Sequence, residues 1–222
     1  MPTFKADLHC HVSGDPRDSI DYTAEELFDR ALALGFDVIA VTNHHEVWQN
    51  PGELAFARRR GLLVIPGVEL DIERKHVLVL NVDTRAERIR TFDELRSTAS
   101  SDRIVVAPHP FYPAPTCLGK KLLEHIDVFD AIEYSFFYCS LLNPNTRAEM
   151  VAQRAGLPMV GSTDCHRLQW LGRTYTMIDA DGKDVGSVVH AVREGRTRVV
   201  SQPLSVWRIA VASARYGVRS PV

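Results

Sequence analysis

The chain has 222 residues, of which 45% are hydrophobic and 24% are charged, and its formal net charge is −2. This composition is typical of a globular protein with one sizeable core. It excludes a basic field that would hold a long nucleic acid by electrostatics alone. The N-terminus lacks the apolar core of a signal peptide, and no apolar run approaches the roughly 18 residues that span a bilayer. We therefore expect a soluble, cytoplasmic, single-domain protein over residues 1–222, with no membrane partner and no long nucleic-acid partner.

Short apolar runs alternate with helical segments, which predicts an α/β fold with a mainly parallel sheet covered by helices. Strands are predicted, in chain order, over residues 4–11, 38–42, 62–69, 77–82, 104–107, 131–133, 159–160, 175–178 and 198–201. Helices are predicted over residues 24–34, 53–60, 92–100, 117–125, 145–155, 185–194 and 205–215. The first helix follows Thr23 and Glu26, which have the spacing of a capping box. The fourth strand follows the third so closely that we expect a hairpin there rather than a crossover helix.

Residues 7–11, with the sequence Asp-Leu-His-Cys-His, offer two imidazoles and a carboxylate near the end of the first strand. Because alternate side chains of a strand point to one face, we expect Asp7, His9 and His11 to lie together. The two intervening residues, Leu8 and Cys10, would then face the other way. The four cysteines of the chain form no C-x-x-C pair, which argues against a zinc knot or a disulfide framework.

Further polar residues stand at or just beyond the ends of predicted strands: His44, Glu69, His109, Asp164 and His166. In parallel α/β proteins the carboxyl ends of the strands carry the binding site. His76 begins its strand instead, but an antiparallel strand would return it to the same edge. Taken singly, each residue has an ordinary explanation as a surface or capping group. Their joint placement makes a polynuclear metal centre the leading interpretation.

The chain resembles the PHP superfamily, named for polymerase and histidinol phosphatase domains, through motifs that follow one another along essentially its whole length. The family motifs D-L-H-x-H, T-D-H, P-G-x-E, H-P and G-S-D-x-H have counterparts, in that order, at residues 7–11, 41–44, 66–69, 107–110 and 161–166. This resemblance implies a distorted (β/α)7 barrel. It also implies up to three metal ions in a cleft at the C-terminal edge of the strands.

The same resemblance implies a ligand set for each ion. The first ion would be held by His9, His11, Glu69 and Asp164. The second would be held by Glu69, His76 and His109, with Glu69 bridging. The third would take His44, His166 and one carboxylate of the loop at residues 13–20. Asp18 lies nearest the family's ligand in that loop, and Asp15 is the alternative, although it also fits a turn residue before Pro16.

One motif departs from the family pattern, because Asn43 stands where aspartate is usual. An amide can hydrogen-bond but cannot accept a proton at neutral pH, so the effect depends on whether this position orients a ligand or takes part in catalysis. We expect both Asp7 and Asn43 to lie behind the ligands, with Asp7 orienting an imidazole. Glu133 also matches a family position, and we expect it to line the cleft or support a ligand rather than bind a metal.

Mixed imidazole and carboxylate ligands suit two to three divalent zinc, manganese or iron ions. Such ions generate hydroxide from bound water near neutral pH and stabilise charge on phosphoryl oxygens. We therefore expect hydrolysis of a phosphomonoester or phosphodiester of a small metabolite or nucleotide by metal-bound hydroxide. The residues expected to act through that water are Glu69, His109, Asp164 and His166. His45 or a metal-bound water is the candidate acid for the leaving group.

Substrate binding calls for cationic side chains near the ligand-bearing loops, because the substrate is anionic. The candidates are Arg17, Arg167 and Arg173, with Glu133 lining the cleft, although solvated surface charge explains the arginines equally well. Two alternative functions remain open at this point. One is an exonuclease-type enzyme acting on short oligonucleotides. The other is a non-catalytic scaffold like the PHP-related protein subunit of ribonuclease P, which has lost metal ligands that this chain retains.

Overall fold

The structure, a computed structural model, describes residues 1–208. Most of the helix predicted over residues 205–215 therefore lies outside the described residues. The strands are β1 (Thr3–Cys10), β2 (Val38–Val41), β3 (Leu63–Ile72), β4 (Lys75–Leu80), β5 (Ile104–Ala107), β6 (Ala131–Ser135), β7 (Met159–Ser162), β8 (Thr174–Asp179) and β9 (Thr197–Ser201). The helices are α1 (Ala24–Ala33), α2 (Pro51–Arg59), α3 (Phe92–Ser97), α4 (Lys121–Glu124), α5 (Asn145–Ala155) and α6 (Val185–Arg193). Within residues 1–208, none of the helices has the length and apolar character needed to cross a membrane.

The elements lie close to where the sequence predicts them, with one exception. The predicted capping box of α1 is confirmed: the Glu26 N–H donates to Thr23 Oγ1 at 3.2 Å, and the Thr23 N–H donates to the Glu26 carboxylate at 2.8 Å. The helix predicted over residues 117–125 is wrong, because only α4 is helical there. Gly119 has a φ of 55° just before α4, and no side chain caps the start of that helix.

Nine strands of the described residues form one sheet in the order β7-β6-β5-β4-β3-β2-β1-β8-β9. Neighbouring strands run parallel from β1 to β3 and from β5 to β7, whereas β4 is antiparallel to both of its neighbours. The predicted hairpin between β3 and β4 is therefore confirmed. Its two turn residues, Glu73 and Arg74, both have positive φ, as in turns that match the twist of the strands. The hairpin brings the start of β4 to the edge where the parallel strands end.

The sheet closes where β7 meets β1. At the C-terminal edge, Cys10 and Cys165 form a parallel bridge between the two strand ends. Nearer the N-terminal ends, β8 packs against β7, and the Gly161 N–H donates to Thr176 Oγ1 at 2.9 Å. A Cβ at Gly161 would lie 2.8 Å from the Tyr175 carbonyl oxygen, so this approach requires glycine. The fold is a distorted, nearly closed α/β barrel of seven strands with β8 and β9 added at its seam, which confirms the predicted fold class.

Aliphatic side chains fill the interior of the barrel. The interior cluster takes at least one residue from each of β1 to β8: Ala6, Leu8, Val38, Ala40, Ile65, Leu78, Leu80, Ile104, Val106, Ala131, Val160 and Ile178. Helix α6 joins this cluster and contacts both β5 and β8, so it covers the N-terminal end of the barrel. Two further clusters pack α1 and α2, and α3 and α5, against the outside of the barrel. The opposite, C-terminal edge is where the polar residues lie.

Candidate metal centre

The polar residues predicted at the strand ends converge around one carboxylate, Glu69, which is 1% exposed. Its Oε2 lies 3.3, 3.4 and 3.1 Å from Nε2 of His9, His11 and His44. Its Oε1 lies 2.7 Å from Nδ1 of His76 and 3.4 Å from Nε2 of His109. One buried carboxylate thus contacts five imidazoles, an arrangement suited to sharing its two oxygens between cations.

The four residues of the first predicted ligand set lie together. One ligand atom from each falls within 4.8 Å of the others in the group His9, His11, Glu69 and Asp164. Asp164 contributes its Oδ1, which lies 3.3 Å from Nε2 of both histidines. Three more groups meet the same limit: His9, His109 and Glu133; His11, Asp15 and His44; and His44, Glu69 and His76. In the second predicted set, His76 and His109 both lie close to Glu69 Oε1. In the third, His44 lies beside Asp15 and His166 beside Asp18, and both aspartates belong to the loop at residues 13–20.

Both of those carboxylates reach the centre, with different partners. Asp15 Oδ2 lies 2.8 Å from Nδ1 of His11 and 3.1 Å from Nδ1 of His44, and its side chain is buried. Asp18 Oδ2 lies 3.0 Å from Nε2 of His166 and 3.7 Å from Nδ1 of His44, and its side chain is 42% exposed. Asp18 therefore fits a metal ligand beside His166, whereas Asp15 fits a carboxylate that orients two imidazoles.

Five imidazoles turn Nε2 toward the cluster of carboxylates and have a partner on Nδ1. The Nδ1 partners are Glu133 for His9, Asp15 for His11 and His44, Cys117 Sγ for His109, and the Asp164 carbonyl oxygen for His166. A partner on Nδ1 fixes the orientation and tautomer of a metal-binding imidazole. His76 is reversed, because its Nδ1 faces Glu69 and its Nε2 faces outward.

The donor set and its unpaired atoms fit divalent transition metals. Three buried atoms, Glu69 Oε1, His76 Nδ1 and Asp164 Oδ1, lie close to polar atoms of the centre but make no well-oriented hydrogen bond among the described residues. Buried polar atoms are ordinarily paired, and cations between these groups would complete all three. Imidazole nitrogens and carboxylate oxygens are donors that zinc, manganese and iron accept. The cluster is therefore suited to divalent metal ions.

Charge is strongly coupled within the centre. Burial opposes a charge on His9, but Asp164, Glu69 and Glu133 outweigh it and raise the pKa of His9 to about 10. Burial and His166 oppose a charge on His11, yet hydrogen bonds to Asp15, Asp164 and Glu69 raise its pKa to about 10. Burial likewise opposes ionisation of Glu69, but the surrounding imidazoles hold the pKa of that carboxyl well below its usual range. The Glu69 carboxylate therefore stays ionised, and the imidazoles of His9 and His11 bind protons more tightly than a free histidine does.

The side chains of β1 do not alternate as the sequence predicts. The pairing with β2 advances three residues on β1, from Asp7 to Cys10, for two on β2, from Ile39 to Val41, which is a β-bulge. Leu8 packs inside the barrel together with Ala6. The predicted grouping of Asp7 with the two histidines is wrong, since Asp7 interacts with the Cys10 side chain and with Thr163. His9 and His11 still meet at the centre, with their Nε2 atoms 3.1 Å apart.

Asp7 supports the backbone rather than an imidazole ring, which corrects the role predicted for it. It accepts hydrogen bonds from the backbone N–H groups of His9 and Thr163 at 3.3 and 3.2 Å, and it bonds to the Thr163 hydroxyl. Burial raises the pKa of Asp7 to about 7, against the opposing effect of these hydrogen bonds. Asp7 therefore joins β1 to β7 behind the ligands.

Asn43 also holds a backbone segment. Its Oδ1 accepts from the Val12 N–H at 2.9 Å, and its Nδ2 donates to the Val12 carbonyl at 3.2 Å. An aspartate could supply only the acceptor. The amide thus ties the end of β2 to the start of the loop that carries Asp15 and Asp18, and it lies outside the contacts of the imidazoles.

Glu133 is 0% exposed, and this excludes the substrate contact predicted for it. Its Oε1 accepts from Ser162 Oγ at 2.5 Å and lies 2.9 Å from His9 Nδ1, while its Oε2 accepts from the His109 N–H at 2.6 Å. Both oxygens are therefore engaged within the protein. Glu133 fits the alternative prediction of a residue that supports a ligand, since it orients His9.

Of the three predicted substrate-binding arginines, the structure brings Arg17 to the centre. Arg17 Nη1 lies 3.0 Å from His76 Nε2 and 3.4 Å from Asp71. Arg167 is exposed and Arg173 half-buried, and within residues 1–208 neither side chain bonds to the ligand cluster. Asp71 was not among the residues predicted from the sequence. It follows Glu69 by two residues on the same strand, so strand alternation could have revealed it.

Three of the six non-glycine residues with positive φ among the described residues lie near the centre. His45, His109 and Asp164 have φ values of 61°, 28° and 46°, a region that non-glycine residues rarely occupy. Such conformations persist where surrounding contacts enforce them, and they cluster at functional sites. Here they occur where the strand ends turn their side chains into the cluster.

Comparisons with known proteins agree with this fold. A family model described as PHP-associated matches residues 143–197, whereas no curated protein matches the chain. A two-domain protein from Bacteroides vulgatus, described as containing a predicted PHP-like metal-dependent phosphoesterase, is similar with a TM-score of 0.70 and 19% identity over 90% of this chain. This chain spans only 65% of that protein. PsfC from Pseudomonas syringae is similar with a TM-score of 0.67 and 19% identity, covering 97% of this chain and 98% of its own.

Endonuclease Q is a further structural relative. The lesion-specific endonuclease Q from Pyrococcus furiosus has a TM-score of 0.65 and 13% identity, with 96% of this chain and 66% of that chain covered. An endonuclease Q in complex with a 27-mer duplex that carries an abasic lesion at the active site also has a TM-score of 0.65, with 14% identity and coverage of 96% and 67%. The matched C-terminal segment and these structural neighbours agree that the chain has a PHP-like fold.

Proposed function

We propose that this protein is a metal-dependent phosphoesterase that hydrolyses a phosphomonoester or phosphodiester of a small metabolite or nucleotide. The observation that carries the proposal is the contact of Glu69 with five imidazoles at the C-terminal edge of the barrel. A buried carboxylate shared in this way serves to hold adjacent cations, and adjacent cations suit phosphoester hydrolysis. The relative from Bacteroides vulgatus, described as containing a predicted PHP-like metal-dependent phosphoesterase, supports the same proposal.

Two to three zinc, manganese or iron ions would occupy the centre. The first would be held by His9, His11, Glu69 and Asp164. The second would be held by Glu69, His76 and His109, and the third by His44, His166 and Asp18, with Asp15 orienting His11 and His44. When bound, such ions lower the pKa of coordinated water and neutralise charge on phosphoryl oxygens.

The exposure of the proposed ligands indicates where substrate enters. The side chains of Asp164, His166 and His109 are 26%, 18% and 14% exposed, whereas His9 and His11 are fully buried. We therefore assign the open side of the centre to the first three residues, which together with Glu69 would act through metal-bound water. His45, 36% exposed on the same rim, is the candidate proton donor to the leaving group.

A nuclease acting on short oligonucleotides is the second candidate. The likeness to endonuclease Q over 96% of this chain supports a nuclease, because that protein is described as a lesion-specific endonuclease and in complex with a 27-mer duplex substrate. The predicted absence of a long nucleic-acid partner therefore needs its own test. Digestion of a labelled single-stranded 5-mer and of a labelled duplex, beside a panel of phosphorylated metabolites, would decide between the two candidates.

The decisive experiment measures metal content and hydrolysis of an aryl phosphate and an aryl phosphodiester with added zinc or manganese. We expect Glu69→Ala and His109→Ala to abolish turnover while circular dichroism shows a retained fold. The matched controls are Glu194→Ala and His190→Ala, which remove an exposed acid and an exposed imidazole that pair with each other on α6. Full activity in both site variants would refute the proposed mechanism, and a wild-type protein with no tightly bound metal would favour the scaffold.

A further inference from the structure

We propose that Asp71 and Arg17 act as a pair at the mouth of the metal centre. In this pair, Asp71 positions His76 as a metal ligand, and Arg17 binds an anionic oxygen of the substrate's phosphoryl group. The role of Arg17 rests on the phosphoesterase function proposed above, whereas the role of Asp71 concerns metal binding alone. Neither residue is needed to explain the contacts of the other imidazoles.

The placement of Asp71 follows from the hairpin of β3 and β4. Asp71 lies directly opposite His76 in the antiparallel ladder, and opposed residues share a face of the sheet. Glu69, two residues earlier on β3, points to that same face. His76 therefore stands between two carboxylates of one strand, with Nδ1 2.7 Å from Glu69 and Nε2 3.4 Å from Asp71.

The reversed orientation of His76 defines what its outer nitrogen needs. A cation held by Nδ1 uses the lone pair of that nitrogen, so the ring hydrogen must reside on Nε2. Nε2 then requires an acceptor, and the Asp71 carboxylate is the acceptor within reach. A carboxylate on the far nitrogen raises the basicity of a metal-binding imidazole and fixes its orientation. Asp71 thus orients His76 through the ring nitrogen that faces away from Glu69, as Glu133 orients His9.

Arg17 completes the pair from the loop that also carries Asp15 and Asp18. Its Nη1 lies 3.4 Å from both Asp71 oxygens and 3.0 Å from His76 Nε2. Because arginine has donors only, Arg17 cannot accept from a protonated His76 Nε2, which leaves Asp71 as the acceptor of that N–H and the Arg17 donors free for a ligand. The Arg17 and Asp71 side chains are 39% and 34% exposed, so the pair is open to solvent beside the centre.

A phosphoryl oxygen is the acceptor that suits the free N–H groups of Arg17. A guanidinium binds phosphate oxygens through charge-assisted, often paired hydrogen bonds. Asp71 holds Arg17 from one side and leaves its other N–H groups for a ligand. His45 Nε2 lies 3.6 Å from Asp71 and is the other ionisable neighbour of the pair. It is farther from Asp71 than either His76 or Arg17.

The Asp71 half is tested by zinc affinity, measured by competition with a chromophoric chelator. We expect Asp71→Ala to weaken one zinc site by about 10- to 100-fold, the usual effect of losing a carboxylate behind a metal-binding imidazole. Asp71→Asn keeps an acceptor oxygen and should show a smaller loss, which guards against misfolding of the alanine variant. Glu73→Ala, in the same hairpin but paired with Lys121, is the control. Affinity equal to that of the control in both Asp71 variants would overturn this half.

The Arg17 half is tested on the zinc-loaded protein with inorganic phosphate, by calorimetry, and with an aryl phosphate, by kinetics. We expect Arg17→Gln to weaken phosphate binding and to raise KM by about tenfold each, with zinc content unchanged. Arg85→Gln, an exposed arginine paired with Asp83, is the control. Unchanged phosphate affinity, or loss of zinc, would overturn the role of Arg17. A wild-type protein that binds phosphate but never turns over would refute the proposed function while leaving this result valid.

Discussion

The two ends of the barrel are built from the same strands, but one end buries apolar side chains and the other buries charged groups. Toward the N-terminal ends of the parallel strands the interior is aliphatic, with Leu80 and Ile104 among side chains that are 0% exposed. Each such side chain gains about 1.5–3 kcal/mol from leaving water. At the C-terminal edge the same strands or the turns that follow them bury Glu69 and His9, whose charges must be matched by partners. Stability comes from one end and chemistry from the other.

Strand β4 shows how this division is achieved within a few residues. It begins at the C-terminal edge, with His76 beside Glu69, and continues into the interior with Leu78 and Leu80. Because β4 is antiparallel, its first residues are polar, whereas the parallel strands reach the same edge with their last residues. The comparison implies that edge substitutions chiefly change function, and that interior substitutions chiefly change stability.

The largest expected effect is the loss of function on replacing Glu69 by glutamine. This change keeps the shape of the side chain but removes the charge that faces five imidazoles. We expect activity to fall by more than ~100-fold, the upper end of what loss of a supporting partner costs, with bound metal reduced in parallel. Elemental analysis and steady-state kinetics check this, and circular dichroism should be unchanged. A fully metal-loaded, active variant would contradict the assignment of Glu69 as the shared carboxylate.

The pH dependence of metal binding should be nearly as large. Since the pKa values of His9 and His11 are raised from 6.5 to about 10, the metal-free protein holds protons that a cation must displace. Metal affinity should therefore increase as the pH rises from 6.5 toward 10. Titrating zinc into the protein at several pH values and counting released protons measures this. Affinity that does not change with pH would mean that these imidazoles do not bind the metal.

The same pKa values predict the opposite trend for the stability of the chelated protein. A raised folded-state pKa stabilises the fold fully below the unfolded value of 6.5, and that contribution is lost as the pH rises through about 10. The free energy of unfolding in urea with a chelator present should fall across this window by on the order of 1 kcal/mol or more per imidazole. The metal-loaded protein should not show this fall.

In the interior, Leu80→Ala should have the reverse effect of a change at Glu69. Leu80 is 0% exposed, pairs with Ile104 at the start of β5 and packs in the cluster that spans the barrel. The cavity it leaves should cost about 2–5 kcal/mol of unfolding free energy. Zinc content and kcat measured well below the melting temperature should stay close to those of the wild type. Lost zinc in a folded Leu80→Ala protein would show that the two ends are coupled.

The sequence was sufficient to locate the chemistry at the edge, because strand ends and metal-binding residue types can be read directly. It could not reveal the direction in which each side chain points. The bulge in β1, which turns Asp7 away from His9 and His11, depends on the pairing with β2 and has no local signal. Cys117 reaches His109 Nδ1 at 3.4 Å from a loop whose predicted helix does not form. Such contacts are decided by tertiary packing.

The closing seam was likewise invisible in the sequence, and Gly161 tests it. A Cβ there would meet Tyr175 O at 2.8 Å and Val199 Cγ1 at 2.9 Å, so Gly161→Ala forces β7 away from β8 and β9. We expect a loss of about 1–3 kcal/mol, as for other overpacked sites. Gly186→Ala, near the start of α6 with no contact shorter than 3.4 Å, is the control and should be neutral or stabilising. Equal effects would mean that the seam tolerates a wider spacing.

The smallest expected effect concerns Thr23, whose capping box starts α1 directly after the loop that carries Asp15 and Asp18. Thr23→Ala should cost about 1 kcal/mol of unfolding free energy, as should Thr91→Ala at the capping box of α3. Asp15 is held independently of α1, because it accepts from backbone N–H groups of its own loop and of His44. Zinc affinity should therefore be equal in the two variants. A weaker zinc site in Thr23→Ala alone would show that the helix, and not the hydrogen bonds of Asp15, positions this side of the centre.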